Sequence, residues 1–380
     1  MKFLRTMLVS AVALLAPLSG AAYAADATLA KPWDQIVADA KSEGSLTFYA
    51  WWGEEFWKNA AKEFEAKYGI KVNVVIGDNN ATVQKIVAEA PNATGTVDAM
   101  LVGGTSLKLY LDAHALLGPI LPVIPDSDKL DPKLSKVQEG YVTGGYLVPV
   151  YRNQVGMLYD PEKVPNPPQT WAEFTAWLDA HPGQFAFNDP SKGGSGQAFV
   201  QAALVNVLGG DQSRYDGATS VDPAKTADWT KVWDWFNANE DKFIITASNS
   251  DSGDRVNQGE ALMAPQWDDD TAIALAKGTL FKRAKLYIPQ FGLPGGGDSL
   301  GIPANAPHKD AALLFVSFLI TPDLQIELNK TIGSYLARID VTGQSAILSE
   351  DERQKNGKAW IPGDYKTLFI EKFVSEVLQK

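Results

Sequence analysis

Short apolar runs alternate along the chain with longer stretches whose apolar residues recur every third or fourth position. Residues 45–51 are one such run, with Leu46, Phe48, Tyr49, Ala50 and Trp51, and they read as a buried strand. Residues 54–68 follow, with Phe56, Ala60, Phe64 and Tyr68 four apart and Lys and Glu opposite. This is the stripe of an amphipathic helix, which Gly69 ends. The same reading predicts a strand over 70–76, a helix over 82–90 and a strand over 97–102. Strand, helix, strand, helix, strand implies parallel pairing with right-handed crossovers.

In such a sheet, solutes bind beyond the carboxyl ends of the strands, where loop amides and helix N-termini converge. Those ends carry Trp51, Trp52 and Gly53; Gly77, Asp78 and Asn79; and Gly103, Gly104, Thr105 and Ser106. Trp51, Trp52, Asp78, Thr105 and Ser106 are therefore candidate ligand-binding residues. The alternative at this point is that one indole packs into the helix and the glycines only make turns.

Residues 147–159 look like two extended segments joined by polar residues, a crossing between two lobes. A second pattern then begins. Thr170 and Glu173 form a capping box for a helix through Trp171, Phe174, Trp177 and Leu178. A strand over 185–187 leads into the polar, glycine-rich segment 188–196 and a helix over 197–208. That loop offers Asn188, Asp189 and Ser195 as candidates. It is not a phosphate-binding Walker loop, because Lys192 precedes the glycines. The alternative is a plain surface turn. Trp229, Trp233 and Phe236 recur at helical spacing over 226–238 and read as packing. A strand over 260–266 ends at Trp267, and Asp268, Asp269 and Asp270 open a helix. One aspartate suffices to cap and two more suit the dipole, yet three beside a tryptophan exceed what capping requires. Trp267, Asp268 and Asp269 are thus candidates. A strand over 284–289, a flexible link at 295–297 and a helix over 307–320 follow. The last 45 residues read as helical, with Trp360 and Tyr365 in an intervening loop.

Composition narrows the chemistry. A length of 380 residues predicts two lobes. The absence of cysteine excludes thiol catalysis, iron–sulfur clusters, disulfides and a lipoprotein anchor. His114, His181 and His308 each have a local structural reading, which leaves little for a histidine triad or a multi-histidine metal site. A net charge of −11 opposes binding to nucleic acid or anionic lipid. Residues 1–24 carry Lys2 and Arg5, an apolar run over 7–16 and then Ala22-Tyr23-Ala24. These are the parts of a secretory signal peptide, with cleavage expected after Ala24. Its loss takes 34 basic residues to 32 against 45 acidic ones, a net charge of −13. The apolar run is about half the ~20 residues of a membrane span, so the expected destination is the periplasm.

The segment 299–312, Ser-Leu-Gly-Ile-Pro-Ala-Asn-Ala-Pro-His-Lys-Asp-Ala-Ala, then Phe315, Phe318-Leu319 and Thr321-Pro322-Asp323, resembles a motif of the periplasmic solute-binding proteins of ABC importers. Within extracellular solute-binding protein family 1, the likeness is to the branch with polyamine-, thiamine- and iron-binding members. Gly259 to Met263 ending at Trp267, Val164-Pro165-Asn166 with Thr170-Trp171, and Asn188-Asp189-Pro190 are similar to that family too. The resemblance implies an α/β, bilobed periplasmic-binding-protein fold with a ligand cleft between the lobes. The signal peptide occupies 1–24, one lobe 25–149 plus 290–333, and the other 150–289 plus 334–380, with hinges near 147–153 and 287–291. It places a stacking aromatic at Trp267, an amine-pairing carboxylate at Asp269 and a first-strand aromatic at Trp51 or Trp52. Iron binders use adjacent tyrosines, which this chain lacks; Tyr335 is the tyrosine in that neighbourhood. The expected protein is a monomeric binder with no cofactor, not an enzyme. It would hold a small polar solute, an amine-like cation ahead of a sugar, and pass it to an ABC permease with its cytoplasmic ATPase. A periplasmic hydrolase built on the aspartate run is the alternative of another class.

Overall fold

A computed structural model of the chain describes residues 26–343 and 347–380. The signal segment and its cleavage site lie outside them. The strands are β1 (Ser45–Ala50), β2 (Lys71–Ile76), β3 (Ala99–Val102), β4 (Val137–Gln138), β5 (Tyr141–Val142), β6 (Val148–Pro149), β7 (Tyr151–Tyr159), β8 (Phe185–Asn188), β9 (Phe243–Thr246), β10 (Met263–Trp267), β11 (Lys285–Tyr287), β12 (Leu293–Gly296), β13 (Ser299–Gly301), β14 (Tyr335–Leu336) and β15 (Gly357–Lys358). They form two α/β lobes. One sheet has the order β2-β1-β3-β13-β6; the other runs β15-β12-β7-β10-β8-β9, with β11 and β14 also on β7. β1 pairs parallel with β2 and β3, while β13 is antiparallel to β3 and β6.

Each sheet has its own core. In the first, β1 buries alternate residues, and the helix Glu54–Tyr68 buries Phe56, Trp57, Ala60, Ala61 and Phe64 before Gly69 ends it at φ 74°. Phe48, Phe64 and Phe315 meet edge to face at centroid distances of 5.0–5.4 Å. In the second, Phe174, Phe185, Phe187, Phe199 and Phe236 form the centre. Thr170 and Glu173 cap the helix Trp171–Ala180 reciprocally, as the spacing predicts. Trp229, Trp233 and Phe236 are buried there as packing residues.

Several boundaries differ from the sequence reading, each for a physical reason. The polar residues Arg152, Asn153 and Gln154 lie inside β7, and the chain passes between sheets at Val150. Gly295 and Gly296 are not a link but part of β12, opposite Gln154 and Asn153. Their approach is so close that a Cβ on Gly295 would lie 2.9 Å from the Asn153 carbonyl oxygen. The return to the first sheet therefore comes at Gly297 and Asp298, not at 287–291, and the boundary expected after residue 289 falls before β12. Gly297, at φ 148°, sits against the Tyr151 carbonyl and leaves no room for a side chain. The helix Gly194–Val207 starts three residues earlier than expected, because Ser195 and Gly196 already bond to Asn188. Tyr365 belongs to the helix Gly363–Phe373, and His114 follows the helix Gly104–Asp112 in a left-handed turn at φ 52°.

Candidate functional site

The carboxyl ends of β1 and β3, the start of the helix Asn79–Glu89, the crossing strand β7 and the start of the helix Asp268–Lys277 surround one cleft of about 350 Å³. Trp51 and Trp52 form part of one wall, both half-buried. Trp52 is held on three sides. Its Nε1 donates to Asp298 Oδ2 at 3.0 Å, its ring meets Tyr151 edge to face at 5.0 Å, and its carbonyl accepts from Trp57 Nε1 at 2.7 Å. On the opposite wall Trp267 ends β10, and its indole lies against Gly194; a Cβ there would come within 2.7 Å of Cζ2. Gln197, Asn249, Ser191 and Lys192 complete that wall.

The aspartate run divides by function. Asp268 is fully buried and accepts from the backbone N–H of Gln154 at 2.8 Å and of Asp269 at 3.0 Å, so it ties its helix to β7. Asp269 faces the cleft, accepting from Asn153 Nδ2 at 3.1 Å and from the Asp270 N–H at 3.0 Å. Asp270 stands open to water at the cleft wall. Asp298, 9% exposed, accepts from Trp52 and from the Tyr151 hydroxyl.

Burial governs the electrostatics. It pushes the Asp298 carboxyl up to about 7, the charges of Glu139 and Asp269 adding to the effect while the Tyr151 and Trp52 hydrogen bonds oppose it. Burial likewise raises Asp268, with Asp269 contributing, and raises Asp269 itself against the Asn153 hydrogen bond. Among the described residues no group of three His, Cys, Asp or Glu side chains is placed to hold a metal ion.

The cleft brings together Trp51, Trp52, Asp78, Thr105, Trp267 and Asp269 from the candidates named above. It leaves out Ser106, which is buried in the helix Gly104–Asp112, and Asp268. Asn188 and Ser195 are wholly buried and satisfy one another: Asn188 Oδ1 accepts from Ser195 Oγ and the Gly196 N–H, and its Nδ2 donates to the Gly193 carbonyl. Asp189 turns to the Ser191 N–H. Tyr335 is a buried β14 residue whose hydroxyl donates to the Leu348 carbonyl, away from the cleft. The sequence reading missed Tyr151, Asn153, Asp298, Glu139, Asn249 and Gln197, and it left open which of Asp268, Asp269 and Asp270 faces the cleft. Tyr151 and Asn153 had a signal, being two apart on an extended segment and so on one face.

The chain is 25% identical to Protein YnjB of Escherichia coli over 317 residues, 79% of this chain and 80% of that one. It is 34% identical over 90 residues to the spermidine/putrescine-binding periplasmic protein of Salmonella typhimurium, 23% of this chain and a quarter of that protein. In fold it is similar to the spermidine/putrescine ABC transporter substrate-binding protein of Streptococcus pneumoniae, with a TM-score of 0.67 at 16% identity over 88% of this chain and 98% of that one. It is similar also to a periplasmic binding protein of Actinobacillus pleuropneumoniae with fructose-6-phosphate bound, with a TM-score of 0.63 at 20% identity over 89% of this chain and all of that one. The family model of bacterial extracellular solute-binding proteins matches residues 59–352, well over half of the chain, and the protein belongs to that family.

Proposed function

We propose that the protein captures a small organic cation between its lobes in the periplasm. As a monomer, and without catalysing a reaction, it then delivers the cation to an inner-membrane permease driven by a cytoplasmic ATPase. The observation that carries the ligand class is the charge of the cleft: among the described residues, Asp78, Glu139, Asp269, Asp270 and Asp298 line it against the single cation Lys192. A neutral solute such as a sugar would leave Asp78, Asp269 and Asp270 without a close countercharge, whereas an ammonium pairs with such carboxylates by charge-assisted hydrogen bonds. Trp51, Trp52 and Trp267 add indole faces, and a cation over such a face contributes ~0.5–2 kcal/mol. Lobe closure would turn on Val150 and on Gly297 and Asp298, the places where the chain changes sheets. The segments that move together are then 26–149 with 299–333, and 151–296 with 348–380.

The test is a thermal-shift screen of amines, vitamins, sugars and amino acids, followed by calorimetry on the hits. Ligand at about 100 times its dissociation constant stabilises by about 2.7 kcal/mol. Cations are expected to raise the melting temperature. Stabilisation by sugars alone would sink the cation reading, and turnover of a chromogenic glycoside would sink the binding reading altogether.

A further inference from the structure

Behind the cleft lies an ammonium that belongs to the chain itself. Lys366, on the helix Gly363–Phe373, has no exposed side-chain surface, and its Nζ donates to Glu139 Oε2 at 2.8 Å. It lies 3.6 Å over the Trp360 ring and 5.9 Å from the centre of Tyr141. One carboxylate and two aromatic faces are the donor set that an alkylammonium ligand needs. Glu139 links this cage to the cleft, because it lines the cleft and is clamped between Gly104 and Gly296. A Cβ on Gly104 would overlap its Cβ, and a Cβ on Gly296 would lie 2.7 Å from its Oε1. The hairpin carrying Glu139 is fastened to the same helix by the Gly363 N–H to the Gly140 carbonyl at 2.7 Å and by Tyr141 with Thr367 at 2.8 Å.

The other cleft carboxylates are unequally free. Asp78 caps its helix by accepting from the Ala81 N–H, and Asp298 receives both Trp52 and Tyr151. Asp269 and Asp270, adjacent at one helix start, form no close ion pair with a lysine or arginine among the described residues, and Arg353 acts on Asp269 only from a distance. The cleft thus offers one anionic position for a ligand ammonium, next to Trp267, while the position at Glu139 is already filled.

We propose that Lys366 determines specificity: its ammonium neutralises Glu139 and takes the place of a second ligand ammonium, so that the cleft selects solutes with one cationic group over those with two. This rests on the cation reading above. The experiment is calorimetry with butylamine and 1,4-diaminobutane on the mature protein and on Lys366→Met. In the native protein the diamine should bind no more than about threefold tighter than the monoamine. Lys366→Met leaves Glu139 unpaired at the cleft and should shift the ratio toward the diamine by about tenfold or more. A native protein that prefers the diamine about tenfold or more, or a folded Lys366→Met with an unchanged ratio, overturns the proposal. If Lys366→Met does not fold, the native ratio decides between the two. Binding of neither amine overturns the cation reading itself, and this proposal with it, a result distinct from binding with the wrong ratio.

Discussion

Asp298→Asn isolates the energetic strain of a carboxylate held between two aromatic donors. In the folded protein the Asp298 carboxyl is pushed by burial from an ordinary 3.8 to about 7. Because the folded-state value is raised, the folded protein keeps a proton that the unfolded chain has already lost. The stability this provides is present at low pH and falls away as pH rises from about 4 through about 7. A raise of about three units at 1.36 kcal/mol each is about 4 kcal/mol over the full window, of which about 2–3 kcal/mol falls between pH 5 and pH 8. Asparagine does not titrate, and its Oδ1 can still accept from Trp52 Nε1 or the Tyr151 hydroxyl. Urea denaturation at the two pH values should therefore show the variant gaining about 2–3 kcal/mol on the native protein as pH rises from 5 to 8. Whatever constant offset the lost carboxylate introduces cancels in that difference. Parallel behaviour of the two proteins at both pH values would refute the claim that Asp298 is a strained, buried acid.

Two further outcomes follow from the cleft. Carboxyls held high in the free protein must ionise to pair with a cation, so a cationic ligand should bind more tightly as pH rises from 5 to 8 and should release protons. Calorimetry in buffers of different ionisation enthalpy measures that release, and its absence would remove Asp269 from the countercharge. Gly194→Ala puts a methyl group 2.7 Å from Trp267 Cζ2 in the first turn of a helix that tolerates alanine well. Affinity should fall by about tenfold with little change in melting temperature, and a collapse in stability with affinity intact would make Trp267 a core residue only.

The first lobe was legible because its elements bury one face each. The stripe of Phe56, Ala60 and Phe64 predicts the bounds Glu54–Tyr68 that the structure shows, and Gly69 closes the helix in the left-handed conformation that glycine favours. The cleft walls were legible for the same reason. A residue at the end of a parallel strand has a predictable position, and Trp51, Trp52, Asp78, Thr105 and Trp267 occupy such ends. The floor was not. Tyr151, Asp298 and Glu139 meet only because the chain changes sheets at Val150 and Gly297 and because glycines at 104 and 296 leave space for a glutamate from a hairpin. No local period encodes a contact of that sequence separation.

Asn188 and Ser195 show a different kind of failure. A polar residue in a strand-to-helix turn signals only that some donor or acceptor needs a partner, and the turn's own backbone competes with any ligand for it. What decides the competition is where the helix begins. With its first turn at Gly194, Ser195 points inward at Asn188 and Asn249, and Asn188 is spent on the Ser195 hydroxyl, the Gly196 N–H and the Gly193 carbonyl. Had the helix begun at Gln197, as the sequence suggested, the same two side chains would have stood in the loop at the cleft mouth. A three-residue error in one helix start therefore converts scaffold into apparent site. At the other helix mouth, Asp268, Asp269 and Asp270 are sorted by the same rule: the residue whose carboxylate meets the backbone of β7 is structural, and those one and two places later reach the cleft.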